Sequence, residues 1–404
     1  MASTSSAAQA RSKPELSRSL TLSMAIASGV AVANLYYNQP LLADMARALH
    51  VDSHAIGLVA TATQIGYAAG MPVFVPLGDF VERRTLTVCL FVVVAGALAG
   101  TALAPNLPAL ILASFLVGMT TIIAQILIPL AAELTSAAER GKTIGTIMTG
   151  LLLGILLART VSGVIAQHFG WRLMYWVAAA LAIVFAGVLS LMLPHIPAHS
   201  KVSYAGLMRS ITDIIREEAK LRQVSITAGL IFASFSAFWT TLIFHVSAPP
   251  FRYGPQEAGL FGLVGAVGAA VAPWAGRLSD TRSPRFVVKV ALGILLVAFV
   301  LFWGVGNYLW GLIIGVVVLD AGAQAAQVAN QTRVLSLRPD ARNRVNTVYM
   351  ISYFTGGSLG SLAGSLAWSR WGWNGVCFTA ITFVLLAAVA LFSRGPVPDR
   401  ISSN

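Results

Sequence analysis

Six stretches of the chain, residues 19–43, 53–78, 85–132, 173–200, 223–251 and 371–393, contain no Asp, Glu, Lys or Arg. Each reaches the roughly 20 residues that a helix needs to cross a bilayer. The 85–132 run is long enough for two crossings, divided at Pro105-Asn106-Leu107-Pro108. Further breaks at Gly170-Trp171 and Gly304–Tyr308 complete an all-α polytopic membrane protein of twelve transmembrane helices. The spans read as 20–42, 56–77, 86–104, 109–132, 143–167, 173–193, 223–247, 258–275, 287–305, 308–331, 345–368 and 374–393. Charged residues make up only 10% of the chain and hydrophobic ones 57%, which excludes an ordinary soluble domain.

The chain also repeats itself. A shift of 202 residues carries Arg140, Lys142, Met148, Gly154, Gly170 and Trp171 onto Arg342, Arg344, Met350, Gly356, Gly372 and Trp373, and Gln125 onto Gln327. Leu77-Gly78-Asp79 before Arg83 and Arg84 returns as Leu278-Ser279-Asp280 before Arg282 and Arg285. Repetition in the same order predicts two pseudo-repeated six-helix halves, 19–193 and 223–393. They are joined by a cytoplasmic loop, 194–222, in which Asp213–Lys220 reads as a charged amphipathic helix. Residues 1–18 read as a disordered cytoplasmic N-terminus and 394–404 as a cytoplasmic tail. Duplicated halves in a membrane chain are typical of secondary transporters, with the binding site between them.

The net charge of +12 tracks topology rather than nucleic acid. With the N-terminus inside, 22 of the 27 Lys and Arg lie on the cytoplasmic side, four on the other, and Arg159 within a span. That bias orients both termini inward in a multi-pass cytoplasmic (inner) membrane protein. The first apolar run continues into Leu35-Tyr36-Tyr37-Asn38-Gln39 rather than a small-residue cleavage site, so it reads as an uncleaved helix. Cys89 and Cys377 read as buried thiols. The pairs His50/His54 and His195/His199 lack a third nearby ligand, so no metal is expected.

Polar residues inside the spans mark the candidate pathway. Helix one carries Asn34, Tyr37 and Asn38 at i, i+3 and i+4, on one face. Helix two adds Gln64, helix four Gln125, helix seven Trp239, and helix eleven Tyr349 and Tyr353. Helix ten is the most polar: Asp320, Gln324, Gln327 and Gln331 form one stripe, which must line a hydrated cavity rather than face lipid. Asp320 is the acidic side chain nearest the middle of a span, and a carboxyl group taken out of water can exchange a proton near neutral pH. Arg159 in helix five adjoins a stripe of small residues, Gly150, Gly154, Ala158 and Ser162, that admits a close neighbour. An intramembrane Arg needs a protein or water partner, for which Asp320 and Asp44 are the candidates.

The segment Pro76-Leu77-Gly78-Asp79-Phe80-Val81-Glu82-Arg83-Arg84, with its second copy Gly276–Arg285, resembles the loop signature of the major facilitator superfamily over roughly residues 20–393. It departs from that pattern at Val75, Phe80 and Glu82, and Ser114 stands where many members carry a fourth-helix Arg. Helix five resembles the antiporter signature, with Ala158-Arg159 in place of its Gly-Pro pair. The whole is most similar to the drug and sugar efflux branch, near arabinose-efflux-type permeases. The resemblance implies that Asp79, Arg83, Arg84, Asp280 and Arg285 form conformational gate loops. Physically, the Asp of such a turn can cap the next helix while the Arg pairs with acids or helix C-termini.

The expectation is therefore a secondary active transporter, not an enzyme. It exports a small organic solute by alternating access against proton entry, with the proton gradient as energy source and no cofactor. A facilitator or importer of a sugar or other nutrient is the alternative. The partners expected are a small-molecule substrate and the lipid bilayer, with no nucleic acid, and a monomer suffices because one chain holds both halves.

Overall fold

The computed structural model describes residues 17–78, 80–136, 139–195, 204–338 and 341–393. Residues 1–16, Asp79 and the tail 394–404 lie outside the described residues. Among the described residues the chain is all helix with no strand: α1 (Arg18–Ala33), α2 (Leu42–Leu49), α3 (Ser53–Leu77), α4 (Arg83–Leu103), α5 (Leu107–Thr120), α6 (Ile123–Leu134), α7 (Arg140–Phe169), α8 (Trp171–Met192), α9 (Tyr204–Glu217), α10 (Ala219–Ser247), α11 (Pro255–Ala269), α12 (Ala272–Thr281), α13 (Pro284–Val305), α14 (Leu309–Leu335) and α15 (Arg342–Phe392). Ten helical stretches among the described residues are long and apolar enough to cross a membrane, counting α5–α6 and α11–α12 as one each. The 51-residue α15 breaks at Gly372, and α1 is a shorter apolar helix, so the architecture is consistent with twelve crossings.

Both expected breaks at Gly-Trp are present. Gly170 has φ 85° and Gly372 has φ 59°, a left-handed region that L side chains avoid, which is why glycine recurs there at the repeat offset. The first crossing differs from its sequence-based extent. Regular helix stops at Ala33, and Asn34, Leu35 and Tyr36 donate to carbonyls three residues back before α2 begins at Leu42. Pro40 has no N–H and its ring crowds the carbonyl four residues earlier, which disfavours regular α-helix through 36–40. The eighth crossing is likewise split into α11 and α12 ahead of Pro273. Arg18, expected to be disordered, opens α1, whose N-cap Ser17 accepts from Leu20 N at 3.1 Å. The amphipathic connector helix also starts earlier than read from sequence, at Tyr204.

The face where α1 begins and α15 ends is here the terminal face; the opposite one is distal. Ser23 Oγ lies 3.3 Å from Met192 Sδ, and Gln223 Nε2 donates to the carbonyls of Ala390 and Leu391 at 3.1 and 3.0 Å, which gathers four helix ends on the terminal face.

The repeated glycines explain themselves through packing. A Cβ on Gly154 would lie 2.3 Å from Gly29 O, and one on Gly356 would lie 2.0 Å from Gly229 O. α7 thus rests backbone to backbone on α1, and α15 on α10. Residues 19–193 and 223–393 meet chiefly where α3 crosses α15 and α7 crosses α11. Gln64 Nε2 donates to Ser361 Oγ at 3.0 Å, Ser236 Oγ donates to Gln64 Oε1 at 3.3 Å, and Thr160 Oγ1 donates to Gly259 O at 3.0 Å.

Removing Gln64 should loosen this seam. A lost hydrogen bond of about 1 kcal/mol corresponds to roughly fivefold in an equilibrium. Gln64→Ala is therefore expected to raise the rate at which a cysteine placed at buried Ser365 reacts with a polar thiol reagent by about that factor. An unchanged rate would show that Gln64 does not hold the seam.

Candidate functional site

A cavity of about 1470 Å³ lies between the two sets of helices. Its deep wall holds Tyr36, Arg159 and Asp320, and it reaches Arg83, Glu133, Arg140, Arg342 and Arg344 at the terminal-face ends of α4, α6, α7 and α15. On the distal side the α3–α15 and α7–α11 crossings close over it.

Asp320, Gln324, Gln327 and Gln331 all line the cavity, as the spacing along α14 requires. Gln125 and Tyr353 line it too. The repeated glutamines each meet a tyrosine: Gln125 Nε2 donates to Tyr67 Oη at 3.2 Å, and Gln327 Oε1 accepts from Tyr349 Oη at 3.2 Å. Tyr349 itself is fully buried behind Gln327 and is not part of the wall. The first-crossing residues face inward to their own bundle instead. Asn34 Nδ2 donates to Thr121 at 3.2 Å, Asn38 Nδ2 donates to Thr63 at 3.0 Å, and Tyr37 is buried. Gln64 is spent on the seam. None of Asn34, Tyr37, Asn38 or Gln64 lines the cavity.

Arg159 is built into a box that sequence reasoning did not foresee. Its Nε donates to Gln39 Oε1 at 2.6 Å, and its guanidinium carbon lies 4.0 Å from the centroid of Trp239 and 4.8 Å from that of Tyr36. The unwound 34–41 segment is what aims Tyr36 and Gln39 at it. Cations stack favourably on such ring faces. Asp320 and Arg159 influence each other electrostatically yet form no ion pair. Asp44, the other candidate partner, pairs with Arg47. Arg159 Nη2 and Asp320 Oδ2 are buried without a hydrogen-bond partner. Signals for Tyr36 and Gln39 existed only in the polar cluster before Pro40.

The expected gate loops divide. Arg83 Nε donates to Gly78 O at 3.1 Å and its Nη1 lies 2.8 Å from Glu133 Oε2, while Arg285 Nη2 donates to Leu391 O at 2.9 Å. Those arginines pair with an acid and a helix C-terminus, as their chemistry suggests. Capping by the second Asp does not occur. Asp280 is exposed on the last turn of α12, and Ser283 caps α13 by accepting from Phe286 N at 3.2 Å. Arg84 stands in the first turn of α4, near Glu82.

Glu82 accepts from Thr85 Oγ1 at 2.6 Å and meets His195 Nδ1 at 2.5 Å. The Thr85 hydrogen bond first, then His195, holds its carboxyl below the ordinary range. A carboxylate held low adds stability that is complete above the unfolded value, near pH 4.5, and is lost as pH falls through the lowered one. Thermal unfolding in detergent from pH 7 to 3 should show a small acid-side loss that Glu82→Gln lacks; identical curves would discount the contact.

The sequence matches the Major Facilitator Superfamily over residues 24–361. It is 43% identical to the uncharacterized transporter YgaY of Escherichia coli O157:H7, over 92% of this chain and 94% of that protein. It is 33% identical to a probable transporter of Streptomyces coelicolor, over 92% of this chain and 86% of that protein. Among solved structures, a bacterial homolog of the human lysosomal transporter Spinster, inward-facing and unoccupied, superposes with a TM-score of 0.72 at 15% identity, covering 94% of this chain and 96% of that one. The nucleoside transporter NupG superposes with a TM-score of 0.71 at 14% identity, covering 92% and 97%. These structural likenesses concern the fold, whereas the family match and the sequence relatives settle membership: the chain belongs to the Major Facilitator Superfamily of membrane transporters.

Proposed function

We propose that this chain is a proton-coupled exporter of a small organic solute, working as a monomer in a bacterial-type inner membrane with both termini in the cytoplasm. The observation that carries the reading is the cavity itself, which reaches the terminal face while Asp320 and Arg159, from opposite six-helix halves, sit at its closed end. With the terminal face cytoplasmic, this is the inward-open member of an alternating-access pair. Asp320 carries the proton and Arg159 binds or balances charge beside it. The arginine-rich terminal face supports the orientation. The halves 19–193 and 223–393 rock about the α3–α15 and α7–α11 crossings, and the Arg83–Glu133 pair belongs to the cytoplasmic gate.

The test uses inside-out vesicles rich in the protein, acidified by respiration and followed with a pH-sensitive dye while a solute panel is added. Export coupled to protons predicts that at least one solute releases the trapped acid. If labelled solutes equilibrate faster than in empty vesicles while none releases protons, the protein is a facilitator instead.

A further inference from the structure

The two charged groups at the closed end are each incomplete in a complementary way. Arg159 is 3% exposed and Asp320 6%, and Nη2 of the one and Oδ2 of the other have no hydrogen-bond partner. Burying an unpaired charge costs several kcal/mol, so two such groups of opposite sign should collapse onto each other unless something holds them apart. α11 does so. A Cβ on Gly262 would lie 3.1 Å from Arg159 Cβ, and one on Gly265, one helical turn along, would lie 3.1 Å from both the Cγ and Oδ2 of Asp320. From there Gln39 and the Trp239 ring draw the guanidinium away. An anchored donor on α7 and an anchored acceptor on α14 thus face one cavity without meeting.

We propose that the solute bound here is a zwitterion with an apolar body, its carboxylate on Arg159 and its ammonium on Asp320. A neutral polyol neutralises neither charge. A simple anion leaves Asp320 unpaired, and a simple cation leaves Arg159 so. The apolar body has its own surface close by: Phe232 and Tyr353 both line the cavity and stack with centroids 3.9 Å apart. Such a solute also ties α7 to α14, and so one half to the other. The inference rests on the transporter reading above and names the class of its cargo.

The experiment is titration calorimetry on the purified full chain in detergent, with L-phenylalanine and L-leucine as probes. Each is run beside its two one-charge analogues: 3-phenylpropionate and phenethylamine for the first, 4-methylpentanoate and isoamylamine for the second. At least one amino acid should bind, and deleting either charge should weaken binding about tenfold or more, the value of a charge-assisted hydrogen bond. Asp320→Asn should weaken the amino acid and leave the carboxylate analogue unchanged. Equal binding of an amino acid and either analogue overturns the proposal, as does the absence of binding by both amino acids at millimolar concentration. The comparison on wild-type protein decides the matter even if the variant folds poorly. The vesicle assay separates the two levels: acid released only by solutes that are not zwitterions sinks this inference and leaves the exporter standing.

Discussion

Asp320→Asn is expected to abolish solute-driven proton release in energised vesicles, with the rate falling about tenfold or more to the level of empty vesicles, while the protein still assembles. A tenfold change corresponds to about 1.4 kcal/mol. The amide matches the carboxylate in shape, so the contacts with Gly265 and Gly268 on α11 survive the change. It cannot ionise, so a carrier that must take a proton on one side and give it up on the other stalls. Counterflow of labelled solute, which needs no net proton movement, should persist at a measurable rate. Weaker holding of the solute lowers its apparent affinity, so counterflow is read at saturating solute; its loss there together with coupling would mark a folding defect, and undiminished proton release would remove Asp320 from the coupling role altogether.

Gly356→Leu should have the largest effect on the folded protein. A Cβ at this position would meet Gly229 O at 2.0 Å, its carbonyl carbon at 2.4 Å and its Cα at 2.6 Å, all of them backbone. Overpacking commonly costs 1–3 kcal/mol, and more where only a helix backbone can yield. A destabilisation of about 3 kcal/mol or more is expected, seen as aggregation on size exclusion or a Tm several degrees lower. Gly293→Leu is the control: nothing lies within 4 Å of its Cβ position, and leucine favours helix over glycine by about 1 kcal/mol. Equal behaviour of the two variants would show that α10 and α15 do not meet at Gly356.

The features legible in the sequence are those that repeat along it or are set by local chemistry. Charge-free runs located the crossings, and the i, i+4, i+7, i+11 spacing of Asp320, Gln324, Gln327 and Gln331 placed all four on the cavity wall. Gly170 and Gly372 marked helix breaks because only glycine tolerates their backbone angles. What depends on which helices become neighbours was not legible. Arg159 finds Gln39 across 120 residues of sequence, and Gln64 finds Ser361 across 297. Asn34 and Asn38 look like pathway residues on a helical wheel. In the fold they are consumed by Thr121 and Thr63 because Pro40 unwinds the segment and turns it toward α3 and the α5–α6 junction. Asp280 echoes Asp79 in position, but α12 continues to Thr281, six residues past the expected end of the eighth crossing at 275, so the cap passes to Ser283.

The stack of Arg159 on Trp239 has a kinetic consequence. Arg159 belongs to α7 and Trp239 to α10, so the contact joins the two halves and must part if they separate on the distal side. A desolvated cation–π contact is worth about 1–2 kcal/mol, which in the cycle proposed above would lengthen the dwell in the inward-open state roughly five- to thirtyfold relative to its absence. In that cycle Trp239 would set a clock. Its replacement by leucine trades a well-populated resting state for faster turnover whenever distal opening, rather than proton exchange, is the slow step.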